Sequence, residues 1–131
     1  MFVDASAMVA ILAEESDAAA LTKRLEQAVE RSTSPIAIYE AVVGIARACN
    51  VPIRIAETIL DRFLEQAAVR VVPITVEIGR RALLAFERYG RGRHPAALSM
   101  GDCFAYACAC ELDTPLLFKG DDFPLTDITV A

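Results

Sequence analysis

Residues 1–12 read MFVDASAMVAIL and predict the first unit of an α/β fold. The run MFV is short and apolar and is followed directly by an acid, which indicates a buried strand that ends there. Apolar side chains from Met8 onward then recur at helical spacing, and either Asp4 or Ser6 can cap that helix. The stretch therefore predicts a buried strand followed at once by a helix.

The same alternation of short apolar strands and helices continues along the chain. We predict further helices over residues 17–31, 53–67, 75–89 and 99–112, and one more that ends at about residue 47. Further strands are predicted over residues 69–74, 115–118 and 127–130. Residues 36–38 (IAI) fit either a second strand or the start of the helix that runs to about Arg47. This alternation predicts one α/β domain over residues 1–131, with three layers and a mainly parallel central sheet.

Two of these helices are predicted to bury an apolar stripe. The expected stripes are Leu21, Leu25 and Val29 in the first, and Ile55, Ile59, Phe63 and Ala67 in the second.

Composition narrows the class of protein. The net charge of −5 argues against a surface that coats nucleic acid without sequence preference. No apolar run approaches the roughly 18–20 residues of a membrane span, and no basic and apolar leader follows Met1. We therefore expect a soluble cytoplasmic protein with no membrane partner.

The cysteines and the histidine do not form a recognisable metal motif. Three of the four cysteines fall in CFAYACAC, a spacing that fits no common zinc site, and His94 is the single histidine. We expect the cysteines to be reduced and to act as small apolar residues on a packed helix.

Four carboxylates stand where an acid is costly or well placed for chemistry. Asp4 follows the first strand, Asp102 lies in the first turn of the helix that SMGD opens, and Asp121 follows the PLLFKG strand end. Glu40 lies in the apolar stretch PIAIYEAVVGIA, where a bare carboxylate costs several kcal/mol, to order of magnitude, unless it is paired. Taken one at a time, each acid also has a purely structural explanation. Asp4 could cap a helix, and Asp102 could interact with a helix dipole. Asp121 could be a turn residue, and Glu40 could form a buried salt bridge.

Taken together, the four acids predict a metal site. Carboxylates that converge beyond the ends of parallel strands repel one another and raise their own pKa values. A divalent cation relieves that repulsion, and an all-oxygen set favours Mg²⁺ or Mn²⁺. Such an ion can activate water toward a phosphodiester and stabilise the leaving oxygen.

Four motifs in order, FVDASA, IYEAVVGIA, GDCFAYACA and LLFKGDDF, resemble the PIN-domain ribonucleases, and more narrowly the VapC toxins of bacterial VapBC toxin–antitoxin pairs. The resemblance covers essentially the whole chain and implies a PIN-like version of the three-layer fold. It implies that Asp4 and Asp102 ligate Mg²⁺, that Glu40 is the second acid, and that Ser6 supports the site by hydrogen bonding. It assigns the fourth acid to Asp121, with Asp122 as the neighbouring alternative.

The resemblance also implies partners. It predicts cleavage of RNA, often tRNA or rRNA, a homodimer, and inhibition by a cognate VapB-type antitoxin. The basic strip RRALLAFERYGRGRH then gains a candidate role in binding phosphates. The candidate phosphate contacts are Arg80, Arg81, Arg88, Arg91, Arg93 and Lys119. His94 fits substrate contact and a structural loop role equally well.

The competing interpretation is a non-enzymatic signalling module with an acidic pocket, as in phospho-receiver domains. Receivers carry an acidic pair after the first strand and a lysine–proline after a late one. In this chain Ala5 follows Asp4 and Gly120 follows Lys119, which disfavours a receiver. A phosphatase of the haloacid dehalogenase type needs an aspartate where Ser6 stands.

Overall fold

A computed structural model describes all residues, 1–131, as short strands joined by helices. The strands are β1 (Phe2–Val3), β2 (Arg31–Thr33), β3 (Val69–Val71) and β4 (Leu116–Leu117). The helices are α1 (Ala5–Leu12), α2 (Ala18–Gln27), α3 (Pro35–Cys49), α4 (Ile53–Gln66), α5 (Val76–Tyr89) and α6 (Met100–Glu111), and a 3₁₀ turn covers Phe123–Leu125.

The four strands form one fully parallel sheet in the order β3–β2–β1–β4. Phe2 pairs with Ser32 on one side and with Leu116 on the other. All the carboxyl ends therefore lie along one edge, and Asp4 and the segment after β4 leave the sheet side by side.

The sheet separates two apolar cores, which makes the fold three-layered. Phe2 and Leu116 point into a core built with α5 and α6, whereas Val3 and Leu117 point into a core built with α1 to α4. Successive strand residues face opposite sides, so β1 and β4, which are buried on both faces, consist entirely of apolar residues. The inner strand β2 differs, because it buries the polar residues Ser32 and Thr33. The predicted three-layer α/β fold with a parallel sheet is confirmed.

The region before Glu40 is helical from residue 35. Ser34 caps α3 by accepting a hydrogen bond from Ala37 N at 3.2 Å, and Pro35 occupies the first turn, where its fixed φ and missing N–H suit a helix. The strand interpretation of residues 36–38 is wrong, and the direct entry into the helix is correct.

The helix predicted over residues 17–31 ends earlier, at Gln27. Val29 is fully exposed and takes no part in the stripe, while Leu21 and Leu25 are buried as predicted. Arg31 lies in β2, where its guanidinium donates to the carbonyls of Leu25, Glu26 and Ala67. These carbonyls lie at the ends of α2 and α4, so a tertiary contact decides where α2 stops.

The buried face of α4 is also shifted from the predicted one. It consists of Ala56, Leu60 and Leu64, while Ile55 is half exposed. Both series have helical spacing, and only packing against α3 distinguishes them.

The predicted last strand at 127–130 does not form. A single parallel bridge joins Val130 to Leu116, and the preceding residues form the unpredicted 3₁₀ turn around Phe123. No single helix is long and apolar enough to cross a membrane. Only α3 and α4 taken together have the length and composition of a span, and the two helices are bent by 117° relative to each other.

Candidate active site

Asp4 is a buried carboxylate at the carboxyl end of β1. Its side chain is only 3% exposed and caps α1. Both the backbone N–H and the hydroxyl of Ser6 donate to Asp4 Oδ2, at 2.9 and 2.5 Å. These bonds hold one carboxylate oxygen in place, so the supporting role predicted for Ser6 has a direct structural basis.

Glu40 lies in the second turn of α3 and turns its carboxylate toward the start of α6. A side-chain carbon added to Gly101 would collide with both Glu40 carboxylate oxygens. Glu40 takes part in none of the salt bridges of the structure, which involve Arg81, Arg88 and Lys119. The closed salt bridge considered for Glu40 is therefore absent.

Asp102 stands at the third position of α6 and forms a reciprocal cap with Ser99. Ser99 N donates to Asp102 Oδ2 at 2.8 Å, and Asp102 N donates to Ser99 Oγ at 3.2 Å. Asp102 therefore has a local role at the helix start, which the sequence alone indicated only as a partner of the helix dipole and which the structure shows as a capping box with Ser99. It engages one carboxylate oxygen and fixes the direction of the other.

The negative charges of the neighbouring acids affect the pKa values of Asp4 and Glu40. Burial raises the pKa of Asp4, the Ser6 hydrogen bonds oppose that rise, and the charge of Asp102 adds to it. Burial likewise raises the pKa of Glu40, and the charges of Asp4 and Asp102 raise it further. Mutual repulsion among Asp4, Glu40 and Asp102 is the signature expected of acids that share one cleft.

The fourth acid stands apart from this group. Asp121 and Asp122 are both exposed in the turn after Gly120, and neither contributes to the pKa shifts of Asp4 or Glu40. The structure brings together three of the four predicted acids.

The donor chemistry of the three acids fits a hard divalent cation, since all their ligand atoms are carboxylate oxygens. No three side chains of the ligating types close around a single point in the structure, however. Asp4 and Asp102 each have one oxygen fixed by the protein, and their second oxygens are the ones that would face an ion.

The chain matches the PIN domain family over residues 1–128. It is 40% identical to the ribonuclease VapC of Mycolicibacterium smegmatis over 131 residues, which cover 100% of this chain and 99% of that protein. The chain belongs to the VapC ribonucleases of the PIN-domain family. Ribonuclease VapC30 of Mycobacterium tuberculosis is 41% identical over 135 residues and is also matched almost end to end, at 100% of this chain and 98% of the relative.

A solved VapC toxin structure has the same fold. The sarcin–ricin loop cleaving toxin VapC20 of Mycobacterium tuberculosis superposes with a TM-score of 0.77 at 21% identity, covering 99% of this chain and 97% of that one. At this identity the likeness concerns the fold alone.

The basic strip of this PIN domain is partly occupied by internal contacts. Arg81 pairs with Glu111 at 2.6 Å and Arg88 with Asp127 at 3.0 Å, while Arg93 lies over the Phe86 ring. The side chains of Arg80 and Arg91 form no ion pair in the structure. Of the predicted phosphate contacts, these two are the most available.

Lys119 and His94 have structural partners of their own. Lys119 forms ion pairs with Glu15 and Asp17. His94 Nδ1 accepts a hydrogen bond from Ala96 N at 3.1 Å, and its ring packs edge-on against Tyr89. These contacts favour the structural loop role for His94.

Sequence reasoning missed Gly101. The residue is buried, and its missing side chain makes room for the Glu40 carboxylate. A glycine inside a predicted helix, next to a candidate catalytic acid, is the signal that could have found it, because such a glycine often marks a close approach.

Proposed function

We propose that this VapC-family PIN domain is a Mg²⁺-dependent endoribonuclease that acts as the toxin of a toxin–antitoxin pair. The observation that carries the proposal is the grouping of three acids at the carboxyl edge of the sheet: Asp4 is buried at the end of β1, and the Glu40 carboxylate lies against Gly101, next to Asp102. The charges of Asp4 and Asp102 raise the pKa of Glu40, in keeping with this grouping. Family membership supports ribonuclease chemistry, and the full-length matches to VapC ribonucleases support the toxin role. Nothing in the chain favours the receiver-like alternative.

Asp4 and Asp102 are the proposed metal ligands. Ser6 and Ser99 each donate to Oδ2 of one of these carboxylates, and we assign the second oxygen of each to the ion. Bound Mg²⁺ supplies Lewis acidity toward a phosphate oxygen and compensates the charge of the acids. Mn²⁺ has the same ligand preference and is the alternative ion.

Glu40 is the proposed proton acceptor. It has no salt-bridge partner, and burial together with the neighbouring acids raises its pKa, which makes the carboxylate a stronger base. In this role Glu40 takes a proton from the attacking water as the phosphodiester is cleaved. Asp121, with Asp122 as the alternative, would join the site as the fourth acid, since both follow the carboxyl end of β4.

Arg80 and Arg91, with Arg81 and Arg93 beside them, are the proposed contacts to the RNA backbone. The proposed substrate class is tRNA or rRNA.

The proposed partner is a VapB-type antitoxin, with both proteins in the cytoplasm. We expect a short reading frame directly upstream of this gene to encode a small DNA-binding protein. Its absence would favour a nuclease that acts without a partner.

The proposed homodimer is supported by an exposed apolar surface on α5 and the start of α6. Leu83, Phe86 and Met100 are 71%, 40% and 66% exposed. Contiguous exposed apolar side chains mark interaction sites. The mass of the wild-type protein in solution distinguishes a dimer from a monomer.

The test of the catalytic proposal replaces Asp4 or Asp102 by Asn. Each change keeps the shape and a hydrogen-bond acceptor and removes a metal-ligating charge, so we expect RNA cleavage to fall by about 10²-fold or more. Chelation of divalent ions should abolish wild-type cleavage, and growth arrest on expression should disappear with either variant.

Asp61→Asn is the matched control, because Asp61 is an exposed acid on α4, outside the site. It should cleave RNA like the wild type. Undiminished cleavage by both Asp4→Asn and Asp102→Asn would refute the proposal.

A further inference from the structure

Lys119, the second residue after β4, has its side chain held by ion pairs. Its ammonium group pairs with Glu15 and lies 3.2 Å from Asp17 Oδ1, in the turn between α1 and α2. Asp17 Oδ1 is buried and accepts no hydrogen bond, so the nearby Lys119 ammonium group is what compensates its charge. The lysine thus joins two segments that are about a hundred residues apart in the chain.

The backbone N–H of Lys119 is hydrogen-bonded to Ser6 in the candidate active site. Lys119 N donates to Ser6 Oγ at 3.0 Å, and Ser6 Oγ donates to Asp4 Oδ2 at 2.5 Å. A hydroxyl has a single proton. Because the Lys119 amide occupies a lone pair of Ser6 Oγ, that proton is directed to Asp4.

The segment that Lys119 begins also carries the candidate fourth acid. Gly120 has a φ of +115°, which favours glycine, and Asp121 and Asp122 follow it as exposed residues. Beyond them Phe123 is buried against Phe118, with ring centroids 4.9 Å apart. The acids therefore lie between an apolar anchor on one side and the Lys119 contacts on the other.

We propose that Lys119 is a positioning residue of the active site and not a contact to RNA. Its ion pairs with Glu15 and Asp17 hold its backbone N–H against Ser6, which fixes the Asp4 carboxylate and the turn that carries Asp121. We call the ion pairs of Lys119 with Glu15 and Asp17, together with its backbone contact to Ser6, the ion-pair clamp. The kinetic consequences of this inference rest on the proposed nuclease function, but the clamp itself is a property of the free protein.

The structure argues against a phosphate contact by this lysine. A side chain that pairs with two carboxylates must give up both contacts before it can bind a phosphate, and bringing RNA close to Glu15 and Asp17 adds repulsion. Arg91 has no such partners.

The first experiment compares kcat, KM and the salt dependence of RNA binding for Lys119→Met. We expect kcat to fall by about 5- to 20-fold with KM unchanged, because loss of the clamp loosens the catalytic geometry and leaves RNA affinity intact. The slope of log K against log salt should stay at the wild-type value. Arg91→Met is the comparison variant and should raise KM and reduce that slope.

The double variant Glu15→Gln, Asp17→Asn separates the two roles. A positioning role predicts the same fall in kcat as Lys119→Met, since the clamp is lost from its other side. Lys119→Arg keeps the charge and is expected to retain most of kcat. If Lys119 contacts RNA instead, freeing it from Glu15 and Asp17 should tighten RNA binding, and Lys119→Met should behave like Arg91→Met. That pair of results would overturn the inference.

The second experiment needs no RNA. Hydrogen–deuterium exchange of the Lys119 amide should be slow in the wild type and faster by about tenfold or more in Lys119→Met and in the double variant. Unchanged protection in both would overturn the clamp whatever the kinetics show. If the wild type cleaves no RNA, the proposed function fails, and the exchange result still decides whether the clamp exists.

Discussion

At the scale of single residues, the position of the Glu40 carboxylate depends on its close approach to Gly101. The Glu40 carboxylate occupies the space that any side chain at position 101 would need, and Gly101 leaves that space open. Glu40 lies in this space without a salt bridge, which suits the proposed role of its carboxylate as proton acceptor.

Gly101→Ala should separate activity from stability. The added methyl group pushes the Glu40 carboxylate aside, and a displacement of about 1 Å in a catalytic group can reduce turnover by roughly 10²-fold. The group that must move is the end of a flexible side chain, and alanine favours a helix over glycine by up to about 1 kcal/mol. We therefore expect the free energy of unfolding to change by less than about 1 kcal/mol in either direction.

Gly79→Ala is the matched control on α5, where an added side-chain carbon meets nothing within 4 Å. It should gain the same helix propensity and cleave RNA at the wild-type rate. Full activity in Gly101→Ala would show that the position of Glu40 is unimportant. Both variants are checked by urea unfolding and by RNA cleavage.

At the scale of elements, the capping box at the start of α6 includes the candidate metal ligand Asp102. Ser99 stabilises the helix end through its hydroxyl and orients Asp102 through its backbone N–H. The start of α5 is a simpler case, because Thr75 Oγ1 accepts from Ile78 N at 3.2 Å with no acid at the third position.

Ser99→Ala and Thr75→Ala should therefore cost similar stability and differ in activity. Each loses a capping bond worth about 1 kcal/mol. Only Ser99→Ala releases the backbone of Asp102 from its cap, so only that variant should lose activity, by about 3- to 10-fold. Denaturant unfolding and cleavage assays on the two variants test this. Equal activity in both would mean that the Ser99 hydroxyl is not needed to position Asp102.

At the scale of the whole molecule, the acid cluster opposes the stability that the two cores provide. Folding raises the pKa values of Asp4 and Glu40, from ordinary values of 3.8 and 4.5. The native protein then binds more protons than the unfolded chain between the unfolded and folded pKa values. The free energy of unfolding therefore falls as pH rises through that window.

Glu40→Gln should be more stable than the wild type at neutral pH without metal. The gain should shrink as pH falls from the raised native pKa of Glu40 toward the ordinary value of 4.5, and it should be absent below that value, where Glu40 is protonated in both states. Mg²⁺ should raise the Tm of the wild type, because binding to the native state relieves the repulsion, and raise that of Glu40→Gln less. Thermal unfolding at several pH values, with and without Mg²⁺, measures both effects. A variant less stable than the wild type at neutral pH would contradict this.

The sequence by itself determined the order and type of most elements. Runs such as MFV and PLLF are apolar throughout because their strands are buried on both faces, and caps such as Ser99 and Thr75 are local signals. The motifs around Asp4, Glu40 and Asp102 also identified the family, since residue type and order carry that information.

Only the tertiary structure decided the remaining points, because each depends on contacts between residues far apart in the chain. The end of α2 depends on Arg31 reaching the carbonyls of two helices, and the buried face of α4 depends on its packing against α3. The same holds for the site. The space at Gly101 for Glu40 depends on residues far apart in the chain, and so do the contacts of Lys119 with Asp17 and Ser6. No local sequence pattern encodes these partners.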